Sequence, residues 1–138
     1  AVTSESKRFI AGLSMGGYGA MRLGCAYADR YSGISGHSSA VTFEQMDQFT
    51  EESGHDYALH LRTPQDVYDA AVTNRDILPP LRFDCGVDDF LIEGNRELHL
   101  QLTEAGIPHT YQEFPGEHSW NYWAEHIEDT LRFFAPLA

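Results

Sequence analysis

The sequence predicts an α/β fold built on a parallel sheet of about four strands. Two observations carry this. Short apolar runs alternate with helix-like stretches along the whole chain, the order that parallel sheets with crossover helices produce. The last helix-like stretch has apolar residues at steps of three and four, Trp120, Trp123, Ile127, Leu131 and Phe134, which line one stripe.

The elements follow in order. Residues 8–12 read as a short buried strand. Gly16-Gly17-Tyr18-Gly19 opens a helix running to about residue 28, with Ala20, Met21, Leu23 and Ala26 available for its buried side and Gly33 as its stop. Residues 32–39 form a second strand rich in Gly and Ser. Residues 41–60 lack periodicity and read as a surface excursion of loops and short helices, closed by Pro79-Pro80, so that the whole excursion covers about 41–78. Within it, Thr63-Pro64-Gln65-Asp66 reads as a helix start, with a Thr cap, Pro at the first helical position and an acid in the first turn; that helix ends near Arg75. Residues 81–86 are the third strand. Residues 95–105 form a helix with Leu98, Leu102 and Ala105 on one face, ended by Gly106 and Pro108. Residues 109–114 are the fourth strand, and Pro136 ends the final helix.

The 138 residues fit one domain, and the 42% hydrophobic and 12% aromatic shares describe a globular chain. The 21 acidic residues outnumber 9 basic ones, for a net charge of −12. Such a surface repels phosphate backbones and offers no Lys/Arg cluster, which speaks against nucleic acid and anionic membrane partners. No apolar run approaches the ~20 residues needed to cross a bilayer. Cys25 and Cys85 lie far apart and read as two free buried thiols, which favours a reducing compartment and a cytoplasmic location.

Gly12-Leu13-Ser14-Met15-Gly16 matches G-x-S-x-G. Alone the motif is weak, because it also fits a glycine-rich helix start whose Ser merely caps. A strand leading in and a helix leading out supply the strand–turn–helix setting of a nucleophile elbow. Ser14 then sits on a strained turn, and the Met15 N–H at the helix start is the expected donor to a developing oxyanion. A serine hydroxyl needs a base, and the base needs an orienting acid. Asp88 and Asp89 both follow the third strand. Of seven histidines, His99 and His126 fall inside amphipathic helices and His55 and His60 in the excursion. His118 follows the fourth strand through Pro115-Gly116-Glu117 and directly precedes a helix, which makes it the candidate base in the order Ser, Asp, His.

These segments resemble the esterase D family of α/β-hydrolases, which includes S-formylglutathione hydrolases, tributyrin and acetyl esterases, feruloyl esterases and, more distantly, mycolyltransferases. Residues 12–20 resemble its nucleophile elbow, residues 81–91 its acid segment, Asn95-Arg96-Glu97-Leu98 the helix after it, and residues 114–120 with Trp123 its histidine segment. In that pattern the acid directly precedes the Phe-Leu pair, so the resemblance assigns Asp89 rather than Asp88. It implies a partial α/β-hydrolase fold and a serine esterase acting on short-chain or aryl carboxylic esters through an acyl-enzyme, with no cofactor and no metal. Acyl transfer to another acceptor, and a catalytically weak or inactive interaction module, are the alternatives. The family's chains are about twice this length. Residues 1–138 are therefore expected to be the C-terminal portion of one domain, the remainder supplying the first strands and a second oxyanion donor. The strand at 8–12 then becomes an open edge, through which self-association or pairing with an N-terminal segment is expected.

Overall fold

The computed structural model describes residues 3, 5–46, 49 and 64–138. Their strands are β1 (Phe9–Leu13), β2 (Gly33–His37), β3 (Leu81–Gly86) and β4 (Thr110–Phe114). All neighbours pair in parallel, in the order β1-β2-β3-β4, with Leu13 opposite His37, His37 opposite Asp84 and Gly86 opposite Phe114. β1 and β4 are the two edges. The α/β class and strand count read from the alternation are those found.

The helices are α1 (Met15–Ala26), α2 (Phe43–Met46), α3 (Val67–Thr73), α4 (Ile92–Glu104) and α5 (Trp120–Phe134). On one sheet face α1, α3 and α4 enclose an apolar core of Met21, Cys25, Ile34, Val67, Ala70, Leu81, Phe83, Leu98 and Leu102. α5 covers the other face, where its Thr130 meets Ser35 and Arg82 and its Tyr122 meets Asp84. Alternation along the strands sorts the residues. Ile34, Leu81 and Phe83 face the apolar layer, while Ser35, His37, Arg82 and Asp84 face α5.

That polar layer decides which side of α5 turns inward. Most of the apolar stripe read from the sequence does not: Trp120 is 74%, Leu131 63% and Ile127 45% exposed, and Trp123 alone of these is buried. Tyr122, Trp123, His126 and Thr130 face the sheet instead. Buried polar groups on β2 and β3 need hydrogen-bonding partners, and an apolar stripe would have left them unsatisfied. Ile127 and Trp120 line, with Ala11 and Leu13 of β1, an apolar cavity of about 450 Å³ at the β1 edge of the sheet.

Smaller expectations also shift. Gly33 begins β2 rather than stopping α1, and a 3₁₀ turn at Ala28–Arg30 lies between them. β2 is shorter than the 32–39 stretch, because Ser38 turns out of the sheet with φ 49°. Thr63, read as a helix cap, lies outside the described residues. α3 starts at Val67, and its cap residue Asp66 spends its Oδ1 on the Phe43 amide at 2.8 Å, tying together two ends of the excursion. Cys25 and Cys85 are both buried and free. Burial pushes the Cys25 thiol up to about 12, and it likewise raises Cys85, so neither is a ready thiolate. No helix among the described residues is long and apolar enough to cross a membrane.

Candidate active site

The site lies at the C-terminal ends of β1, β3 and β4. Ser14 joins β1 to α1 with φ 56° and ψ −120°, a backbone conformation that L-residues rarely adopt. The turn is held from both sides. The Ser14 N–H donates to the His37 carbonyl at 2.9 Å, and the Ser14 carbonyl accepts from the Tyr18 N–H at 3.1 Å, closing the first turn of α1. Its tightness explains Gly12, where an added Cβ would stand 2.1 Å from the Gly16 carbonyl oxygen. Met15 is the first residue of α1. Its N–H therefore belongs to the amides that have no acceptor within the helix.

The turn after β3 is fastened to the loop after β4. Val87 N–H donates to Phe114 O and Asp88 N–H to Gly116 O, both at 2.9 Å, and Asp89 N–H returns to Gly86 O at 3.1 Å. This rotates Asp88 into solvent and buries Asp89, which is 2% exposed. Asp89 Oδ1 accepts from the Leu91 N–H and Oδ2 faces His118 Nδ1, each at 2.8 Å. A carboxylate only accepts, so His118 carries its proton on Nδ1 and presents a lone pair at Nε2. Nε2 lies 2.8 Å from Ser14 Oγ. The three residues singled out from sequence thus form one hydrogen-bonded chain from carboxylate to imidazole to hydroxyl. The His118 ring is walled by Phe90 and Trp123, each edge-on at 4.9 Å between centroids, with Phe49 at 6.3 Å.

The remaining described histidines are engaged elsewhere. His126 stacks on Phe114 at 4.2 Å, and His99 pairs with His109 at 2.8 Å. Among the described residues no three His, Cys, Asp or Glu side chains are grouped as a metal ion would require. The sequence reading missed a buried polar cluster beneath the site, centred on Asp84. Its signal was present in Leu81-Arg82-Phe83-Asp84-Cys85: two charges at alternate positions of an otherwise apolar interior strand, hence on one face.

A family model described as a putative esterase matches residues 1–134. The chain belongs to this esterase family. An acetyl esterase of Caldicellulosiruptor saccharolyticus is 31% identical over 150 aligned positions, covering 97% of this chain and 56% of that protein. Among solved structures, an S-formylglutathione hydrolase of Staphylococcus aureus superposes with a TM-score of 0.80 at 26% identity, covering 96% of this chain and 57% of the other. A fluorophosphonate-binding serine hydrolase of the same organism gives 0.79 at 26%, covering 91% and 52%. The esterase-family chain therefore spans somewhat more than half the length of the relatives it matches.

Proposed function

We propose that the protein is a serine carboxylester hydrolase acting on short-chain or aryl esters through an acyl-enzyme. The observation that carries this is the unbroken chain Asp89–His118–Ser14 ending on a serine in a strained strand-to-helix turn. His118 Nε2 takes the Ser14 proton as Oγ attacks the ester carbonyl. The oxyanion forms beside the start of α1, where the Met15 N–H donates to it and the helix dipole favours negative charge. Asp89 holds the imidazole in the required tautomer and stabilises its cation. His118 then protonates the leaving alcohol, and water releases the acyl group by the same steps in reverse. No step needs a metal or an organic cofactor. Membership of an esterase family supports an ester substrate.

The test is covalent. A fluorophosphonate labels Ser14 in the intact protein, and hydrolysis of p-nitrophenyl acetate falls at least about a thousandfold in Ser14→Ala. Turnover that survives this substitution overturns the reading.

We also infer that residues 1–138 are the C-terminal portion of one domain whose remaining chain covers the β1 edge and the outer face of α5. Among the described residues β1 has a neighbour on one side only, and the apolar cavity opens beside it. The length of the relatives supports the same reading. That segment is the natural source of a second oxyanion donor. The two buried thiols favour a reducing, cytoplasmic setting.

A further inference from the structure

The face of the sheet beneath α5 carries a set of charges that the proposed mechanism does not use. Asp84 is fully buried. Its Oδ2 accepts from Arg82 Nη2 at 2.5 Å and lies 2.7 Å from His37 Nδ1, a close contact without hydrogen-bond geometry. Its Oδ1 accepts from the Tyr122 hydroxyl at 2.7 Å. Arg82 Nη1 donates onward to Ser35 Oγ at 3.0 Å and Thr130 Oγ1 at 3.2 Å, and Thr130 Oγ1 lies 2.6 Å from His37 Nε2. Burial works to raise the Asp84 carboxyl, but His37, Arg82 and Tyr122 together hold it below its ordinary value. It is a fixed negative charge at neutral pH.

Two arms run from this carboxylate to the site. The first is His37, whose carbonyl accepts the Ser14 N–H. The residue after it, Ser38, is in the left-handed region and donates its N–H to the Asp84 carbonyl at 2.8 Å. The second arm is Tyr122. Its ring lies against Gly116, where an added Cβ would stand 2.7 Å from Cδ2. Gly116 is two residues before His118, and its carbonyl holds the Asp88 amide beside Asp89. One carboxylate therefore reaches both the main chain that carries the nucleophile and the loop that carries the base.

Stability alone does not call for charges here. A buried ion pair is commonly matched or exceeded in stability by apolar residues of the same volume. What a carboxylate adds is direction: Oδ1 accepts a hydrogen bond from Tyr122 of α5, and Oδ2 lies against His37 of β2. We propose that Asp84, acting through His37 and Tyr122, is a positioning residue that sets the approach of Ser14 Oγ to His118 Nε2. The inference rests on the reading of Ser14 and His118 as nucleophile and base.

Tyr122→Phe in the full-length protein tests it, since the change removes one hydroxyl and leaves the ring against Gly116. The number of competent sites is first counted by fluorophosphonate titration, so that misfolded molecules do not enter the rate. The expected result is a kcat per titrated site at least about tenfold lower, with KM for p-nitrophenyl acetate within about twofold, because a misplacement of about 1 Å costs up to ~10²-fold. His37→Gln, the second variant, shows the same split between kcat and KM. The double variant loses less than the product of the single losses, because both arms end on one carboxylate. A purely structural cluster lowers the melting temperature and the titrated fraction while kcat per site stays within about twofold of the parent. That outcome, in Tyr122→Phe or in His37→Gln alone should the other not fold, overturns the proposal. A parent that neither labels at Ser14 nor hydrolyses the ester overturns the active-site reading and this inference with it. A parent that does both while the variants match it overturns the positioning role alone.

Discussion

At the scale of single residues, the elbow depends on what is absent from Gly12. An added methyl there meets a backbone oxygen of α1, which no rotamer change can move aside. Gly12→Ala is expected to lower unfolding stability by about 1–3 kcal/mol in urea titrations and to reduce fluorophosphonate labelling of Ser14. Gly19, on the same helix, has nothing within 4 Å of its added Cβ. Gly19→Ala is therefore expected to raise stability by about 0.5–1 kcal/mol and leave labelling unchanged. The opposite signs separate close approach from helix propensity. Much at this scale was legible in the sequence. G-x-S-x-G between a strand and a helix singles out Ser14, the position of His118 after β4 singles out that histidine, and the two lie 2.8 Å apart. The choice between Asp88 and Asp89 was not legible from the residues alone. It is made by three amide bonds to the carbonyls of Phe114, Gly116 and Gly86, and one of those carbonyls sits 28 positions downstream of its donor Asp88.

Among the elements, periodicity located α5 and left its inward face open. Apolar spacing measures amphipathicity, and the side that turns inward depends on what it meets. Here the sheet presents Ser35, His37, Arg82 and Asp84, so Tyr122 and Thr130 face it and Ile127 and Leu131 do not. The join between α4 and β4 carries a pH dependence that no motif announces. His109 Nδ1 lies 2.8 Å from the Ile107 carbonyl, so that nitrogen bears the proton and Nε2 accepts from His99 Nδ1. His99 also lies against Tyr111, and Tyr111 bonds the Glu113 that Arg96 pairs. Burial, then the neighbouring His109, lower the His99 value below its ordinary one. The folded state thus binds that proton less readily than the unfolded chain. The stability contribution is full above about pH 6.5 and is lost as pH falls through the lowered folded value. Urea midpoints measured from pH 7.5 downward are expected to fall across that window, and His99→Gln to flatten the slope. A slope identical in the variant overturns the assignment to His99.

On the scale of the whole molecule, one sheet edge draws attention. Among the described residues β1 has a neighbour on one side only, Trp120 and Ile127 line the apolar cavity beside it, and Leu131 is exposed on the same helix. Open edges with apolar flanks drive association. The 138-residue chain alone is expected to sediment as oligomers at micromolar concentration, and Ile127→Asp with Leu131→Asp to return it toward monomer. A compact parent monomer counts against this account of the face. The charge of −12 disfavours stacking of copies without a strong apolar contact to offset it, which makes the contrast readable.

The bond from His118 to Ser14 joins positions 104 apart in the sequence, and that from His118 to Asp89 spans only 29. Asp89 and His118 can find one another locally once β3 and β4 pair. Ser14 follows β1, three strands away from β4 in the described sheet, and meets them only when all four of these strands are assembled. During synthesis Ser14 leaves the ribosome long before His118 does. If Ser14 and His118 are the nucleophile and base proposed above, the nascent chain carries a serine with no means of activation, and the wide separation of the two positions, of the kind that slows assembly, also withholds acyl chemistry from a polypeptide that is not yet folded.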